Sequence, residues 1–161
     1  MKTKKFNLNP VTYFFACFIT MIAFDMVFTD YILHNIFVSS DFRFLDIVYI
    51  ENTGAAFSSF PHSAIFLAII SILAVILIMA ELYRNKDKYS ILTCFFSAML
   101  CAGITCNTYE RLSLGYVRDY INLKFIKFPV FNISDVLINL GVLAIIVLII
   151  TKKYKNEKTD I

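Results

Sequence analysis

The run SAIFLAIISILAVILIMAELY, residues 63–83, carries a single charged side chain, Glu81, in its whole length. A hydrocarbon core about 30 Å thick needs roughly 20 apolar residues of helix to cross it, and this run supplies that length. Three further stretches with few charges stand out on either side of it, residues 11–28, 91–106 and 136–151. With 59% hydrophobic and 17% charged residues and a mean hydropathy of +0.72 over 161 residues, the chain has more apolar surface than a soluble domain of its size can bury. It reads as an integral membrane protein, mainly α, with one domain over residues 1–161 built as a four-transmembrane-helix bundle. The third and fourth spans are short for a full crossing and borrow length from their outer flanks, residues 107–109 and 131–135. Polar residues are therefore expected at membrane depth there.

Lysine and arginine orient the bundle. The N-terminal tail holds Lys2, Lys4 and Lys5, the connection after the second span holds Arg84, Lys86 and Lys88, and the C-terminal tail holds Lys152, Lys153, Lys155 and Lys158, which makes 10 of the 15 basic residues. Arg43, Arg111, Arg118, Lys124 and Lys127 lie on the other side. The positive-inside rule places both termini in the cytoplasm, with the weakest bias over residues 118–127. The net charge of +3 is then an orientation signal, and nucleic acid is not expected as a partner. A cleaved signal peptide is excluded for the first span, since its apolar run exceeds a typical h-region and three more spans follow. Cys17, Cys94, Cys101 and Cys106 all fall within spans; no His or carboxylate joins them at metal-ligand spacing, so they read as small hydrophobes and no metal is expected. His34 and His62 are isolated and lie outside the spans.

Two outer segments, residues 29–61 and 107–134, separate the spans. Tyr31-Ile32-Leu33 and Ile36-Phe37-Val38 flank His34-Asn35 in a short amphipathic pattern suited to the headgroup layer. Residues 42–50 are rich in aromatic and β-branched types and predict a strand running up to Asn52, and residues 117–125, closed by Pro129, predict a second that pairs with it above the membrane.

Asp119 and Asp135 carry the chemistry. An aspartyl hydrolase needs one ionised carboxylate to take a proton from water and one protonated carboxyl to polarise the scissile carbonyl; two close carboxylates provide both, because ionising the second against the first is costly. Each has a plainer reading. Asp135 follows Ser134 at the start of the fourth span, where a carboxylate satisfies free helix N–H groups, and Asp119 can be a strand residue paired with Arg111 or Arg118. Asp25 is the one acidic residue well within a span, placed either to reach the outer site or to snorkel to the interface. Asn52, Asn107 and Asn132 end apolar runs; their amides both donate and accept without adding charge, which suits orienting carboxylates or a substrate backbone, and equally suits capping and turns. Gly54 permits a positive φ or a close backbone approach. Arg111 can pair with the adjacent Glu110, or hold a lipid phosphate or substrate carbonyl.

Asn52-Thr53-Gly54-Ala55-Ala56-Phe57, then Asn107, Arg111, Gly115, Val117 and Asp119, then Phe131-Asn132-Ile133-Ser134-Asp135 together resemble the motifs of the bacterial lipoprotein signal peptidases, signal peptidase II. Those motifs read Asn-x-Gly-x-Ala-Phe, Asn-x-x-Asp-Arg followed by Gly-x-Val-x-Asp, and Phe-Asn-x-x-Asp, in that order, preceded by Asp-Gln-x-x-Lys. The resemblance covers nearly the whole chain and implies an aspartic endopeptidase with Asp119 and Asp135 as its dyad. Asn52, Gly54, Asn107, Arg111, Asn132 and Asp25 then bind substrate or orient the dyad. It further implies a prolipoprotein substrate carrying diacylglycerol on its lipobox cysteine, cut before that cysteine, with no metal or organic cofactor. The setting is the bacterial cytoplasmic (inner) membrane, among membrane lipids, with the active site near the outer leaflet and a monomer as the expected state. Three positions depart from the pattern: Met26 and Thr29 stand where the first motif has Gln and Lys, and Glu110 where the third has Asp. The rival reading is a non-enzymatic transporter, channel or precursor-binding protein; the spans show neither an inverted repeat nor a second midplane charge to support it.

Overall fold

The computed structural model describes residues 9–36, 42–54 and 63–159. Four long helices account for most of them: α1 Pro10–Tyr31, α2 Ala64–Arg84, α3 Ile91–Leu114 and α4 Ile133–Thr159. Each is long and apolar enough to cross a membrane. Local sequence sets their ends. Asn9 caps α1 by accepting a hydrogen bond from Val11 N at 3.0 Å, and Pro10 follows at the first helical position, where its missing N–H is not needed. Ser90 Oγ accepts from Thr93 N at 3.1 Å to start α3. Gly115, at φ +87°, ends that helix in the left-handed region and donates its N–H to Arg111 O at 3.1 Å.

The two short spans take up length from their outer flanks as expected. α3 continues past Cys106 and residues 107–109 to Leu114, and α4 starts at Ile133, within the flank 131–135. The added turns contain Asn107, Glu110 and Asp135, which polar partners in the protein satisfy, so lipid does not set the helix limit there. The amphipathic pattern after α1 is not a separate helix. Residues Ile32–Ile36 continue α1 as a wider π-helical turn, carrying His34, whose Nδ1 lies 2.8 Å from Asp30 O; Phe37 and Val38 lie outside the described residues.

The two strands are β1 Leu45–Asn52 and β2 Val117–Leu123, paired antiparallel from Leu45↔Leu123 to Asn52↔Val117. An extra residue on β1 between Ile47 and Ile50 forms a bulge against Ile121 and Asp119. Phe131 is hydrogen-bonded to β2 as well: Tyr120 N and Ile121 N donate to Phe131 O at 3.0 and 2.8 Å, and Phe131 N donates to Ile121 O at 3.1 Å. The chain therefore enters α4 directly beside Asp119 and Tyr120.

α3 is the inner helix, packed against α1, α2 and α4. Half of its spanning window is buried, against 11%, 6% and 11% for the other three. Lipid offers no hydrophobic drive between helices, so association rests on close packing of small residues. Ser97, Ala98, Cys101, Ala102 and Gly103 supply that surface, with Phe14 of α1 set against Cys94, Ala98 and Cys101. A methyl group on Gly103 would run into the Ser134 carbonyl oxygen and Ile138 Cγ1, and one on Gly141 would lie 2.9 Å from Leu100 N. Outward-facing side chains such as Ile65, Phe66, Ile69, Leu73 and Ile76 of α2 are exposed, as a lipid-facing surface requires.

Candidate active site

Both connections that carry a strand leave the same end of the bundle, and their polar residues converge there. Asn52 is the last residue of β1, Asp119 sits in β2, Asn107 and Arg111 lie on the last turns of α3, and Asn132 and Asp135 open α4. Asp119 is buried and both its oxygens accept amide hydrogens, Oδ2 from Asn52 Nδ2 at 2.9 Å and Oδ1 from Asn132 Nδ2 at 3.0 Å. Asp135 Oδ1 accepts from Asn107 Nδ2 at 2.9 Å. Asn132 joins the two carboxylates, since its backbone N–H also donates to Asp135 Oδ2 at 3.3 Å while its own Oδ1 accepts from Asp135 N at 2.9 Å. That reciprocal pair is a capping box, with Asn132 as the cap and Asp135 three residues on. The Asn132 amide is further shared with Asn107 Oδ1 at 3.1 Å.

Opposing effects set the charge on Asp119. Burial disfavours the carboxylate and the nearby Asp135 charge adds to that, while the Asn52 hydrogen bond and the Arg111 charge favour ionisation; the balance holds Asp119 up at about 7. A carboxyl poised near neutrality can hold or release a proton at working pH. Among the described residues, Asp119 takes Asn52 and Asn132 as its direct side-chain partners and neither arginine. Successive strand residues point to opposite faces, and Arg118 turns away to Glu110. Its backbone N–H donates to Glu110 Oε2 at 2.7 Å, and its Nε and Nη2 approach Oε1 at 2.7 and 2.6 Å. Glu110 consequently does not pair with Arg111, because adjacent helix positions do not face each other. Arg111 instead donates to Gly54 O at 3.1 Å through Nη2 and to Asn107 O at 3.3 Å through Nη1. Its Nε is buried without a partner among the described residues. Gly54 N donates to Asn52 Oδ1 at 3.0 Å, closing the turn that leads out of β1. Ala55, Ala56 and Phe57 of that motif lie outside the described residues, as does His62.

Asp25 does not snorkel. It is buried and accepts a 2.6 Å hydrogen bond from Ser134 Oγ, so it meets the site through the residue before Asp135. Thr29 makes a polar contact of its own, 2.9 Å to the Tyr120 hydroxyl, which also accepts from Ile133 N at 3.4 Å. Burial pushes Tyr120 up to about 12, keeping its hydroxyl neutral. Met26 is 42% exposed on α1. The sequence reading missed Ser134, Thr29 and Tyr120 as supports and the Glu110–Arg118 pair. Among the described residues, no three His, Cys, Asp or Glu side chains gather as a metal-ligand set.

Two carboxylates joined through one asparagine, by its side-chain amide to Asp119 and its backbone N–H to Asp135, at the end of a four-helix membrane bundle define a membrane-embedded aspartic hydrolase. The matches to known proteins name it more closely: the family model for signal peptidase (SPase) II matches residues 17–151, and the chain belongs to the signal peptidase II family. It is 36% identical over 119 residues to a lipoprotein signal peptidase of Clostridium tetani, covering 71% of this chain and 76% of that protein. It is 34% identical over 115 residues to the one of Enterococcus faecalis, covering 71% of each. The match to the lipoprotein signal peptidase of Lactobacillus gasseri, at 29% identity, extends over 92% of this chain and 97% of the relative. Two bacterial membrane enzymes solved by the in meso method share the fold. One has a TM-score of 0.76 at 25% identity, covering 87% of this chain and 88% of that one; the other has 0.70 at 27%, covering 84% and 91%.

Proposed function

We propose that this chain, acting as one four-helix domain, removes signal peptides from prolipoproteins, with Asp119 and Asp135 as the dyad that activates water. The observation that carries the assignment is Asn132, which binds both carboxylates at once. In the reaction, water held between the carboxylates loses a proton to the ionised one and attacks the carbonyl before the substrate cysteine. The protonated partner donates to the developing oxyanion, and the proton then passes to the leaving amine. Asn52 and Asn107 orient one carboxylate each, Asn132 both. Arg111, with Gly54, lies close enough to the pair for its charge to act on Asp119. It is suited to a substrate carbonyl, and Asp25 supports the start of α4 through Ser134. The substrate carries diacylglycerol on that cysteine, and its acyl chains stay in the bilayer, each buried methylene adding about 0.8 kcal/mol to positioning.

Lysine and arginine bias puts both termini in the cytoplasm and the dyad near the outer leaflet of the bacterial inner membrane. The enzyme works as a monomer among membrane lipids. The test is gel-shift cleavage of a diacylglyceryl-modified prolipoprotein in detergent by wild type, Asp119→Asn and Asp135→Asn, each checked for helix content. Wild type alone is expected to cut before the modified cysteine, with each variant at least about 100-fold slower. Turnover near wild type in either variant removes that residue from the dyad.

A further inference from the structure

β1 has β2 along one edge and, among the described residues, no strand along the other. The bonds made by β2 show which backbone groups of β1 face that open side. Ile121 donates its N–H to Phe131 O at 2.8 Å and accepts from Phe131 N at 3.1 Å, so neither group serves Ile47, its opposite on β1. Arg118 likewise donates its N–H to Glu110 Oε2 at 2.7 Å and accepts at its carbonyl from Asn132 Nδ2 at 3.4 Å, away from its opposite, Glu51. In an antiparallel ladder, a residue opposite such a position turns both its N–H and its C=O outward. Ile47 and Glu51 therefore each present a donor and an acceptor along the open edge, about 13 Å apart at the usual rise of a strand. The strand, Leu45-Asp46-Ile47-Val48-Tyr49-Ile50-Glu51-Asn52, holds neither the proline nor the lysine that commonly blunts an exposed edge.

This edge runs directly into the candidate active site. Glu51 is followed by Asn52, whose amide holds Asp119 Oδ2. Asn52 also marks the end of the sheet nearest the bundle, because Val117 opposite it lies just past the end of α3 at Leu114, while Leu45 is at the far end. The inference rests on the peptidase reading, in which the signal segment of the substrate lies in the bilayer and the chain after its cysteine leads outward. A peptide bond within a helix has its carbonyl engaged by the N–H four residues on, so the substrate must unwind to be cut, and unwound backbone beside a membrane needs other partners. A chain that leaves the dyad past Asn52 toward Leu45 runs antiparallel to β1. We propose that the residues following the substrate cysteine add to the open edge of β1 as an antiparallel strand, exchanging backbone hydrogen bonds with Glu51 and then Ile47. Such pairing gives affinity through the main chain and makes little demand on substrate side chains. It also fixes the scissile carbonyl relative to Asp119, since the same strand carries Asn52.

The test gives wild-type enzyme in detergent a set of diacylglyceryl-modified peptides: one parent, and others N-methylated in turn at each residue of the segment after the cysteine. Each N-methyl group removes one backbone donor. kcat/KM should fall about fivefold at every second residue, one hydrogen bond each, and less than about twofold at the residues between. Ile47→Pro removes an outward N–H that the β1–β2 ladder does not use, and its ring stands in the way of a paired strand at that point. In this variant the penalty should vanish at the residue opposite Ile47 and persist at the one opposite Glu51, which verifies the fold as well. Uniform penalties or none, with the parent peptide cut, would overturn the docking while leaving the dyad in place, and would assign the edge to a second copy or to another segment of this chain. Alternation that Ile47→Pro leaves untouched would overturn it too, by placing the substrate on another edge. A parent peptide left uncut by wild type would overturn the peptidase reading and this inference with it.

Discussion

Asn132 is the residue whose replacement best separates structure from chemistry. Asn132→Ala removes the cap acceptor for Asp135 N, worth about 1 kcal/mol. It also removes the amide that donates to Asp119 Oδ1 at 3.0 Å, and a hydrogen bond to a charged group contributes about 1.5–3 kcal/mol. The expected loss is therefore about 2.5–4 kcal/mol. Asn132→Ser restores a cap oxygen but is too short to reach Asp119, so it should recover about 1 kcal/mol and no more. Rate should not follow stability. A displaced catalytic group costs on the order of 100-fold, and both variants lose the bridge, so both should cut at about one hundredth of the wild-type rate or less. Unfolding by SDS titration in mild detergent gives the first quantity and initial rates on a diacylglyceryl-modified prolipoprotein give the second. Wild-type cleavage by the Ser variant would refute the bridge as a requirement, and wild-type stability of the Ala variant would refute the cap.

With Asp119 held up at about 7, the pair keeps its one required proton below that pH and loses it above. kcat/KM should therefore fall about tenfold per pH unit on the alkaline side of about 7; a flat profile through that range would show that the pair does not supply the proton. Glu110→Gln leaves the Arg118 guanidinium without its charged partner and should cost about 2 kcal/mol in the same unfolding assay. Pairing it with Arg118→Met should lose less than the sum of the single changes, and strict additivity would show that the two side chains do not interact. Gly103→Ala places a methyl group against the Ser134 carbonyl and Ile138. It should destabilise by about 1–3 kcal/mol and slow cleavage by moving Asp135, whereas unchanged kinetics would show that the α3–α4 contact does not set the site.

The spans were legible because each rests on a long apolar run, and the two strands because β-branched and aromatic residues cluster before Asn52 and after Val117. The extension of the short spans into residues 107–109 and 131–135 was legible, but its full extent was not. Hydropathy falls at Glu110 and Arg111, yet α3 continues to Leu114 because protein groups rather than lipid surround the side chains of its last turns. Glu110 also shows the limit of adjacency in sequence: Arg111 is next to it but on another face, and its partner is Arg118 across the turn at Gly115. The Ser134–Asp25 hydrogen bond joins residues 109 positions apart, and no local pattern announces such a pair. The asparagines were identifiable as candidates from their places beside the spans, but the contact of one residue, Asn132, with both carboxylates required the turn that brings Phe131 against β2.

Asp135 was open to two readings, a helix-starting carboxylate or a catalytic one, and the geometry makes them one device. At the position three residues after the cap, Asp135 has its Oδ2 drawn to the Asn132 N–H, which fixes the rotamer and leaves Oδ1 directed at Asn107. The helix start therefore does the orienting that a catalytic carboxylate needs before substrate arrives. Asn132 performs the same double duty, so the free energy that caps α4 also sets the relation between Asp135 and Asp119. Because Phe131 is bonded to β2 just ahead of the cap, a displacement of the sheet moves both carboxylates together, whereas loss of the cap moves only one. Loosening the sheet as a unit should then weaken substrate alignment while preserving the acid–base balance of the pair, and loosening the cap should change that balance itself.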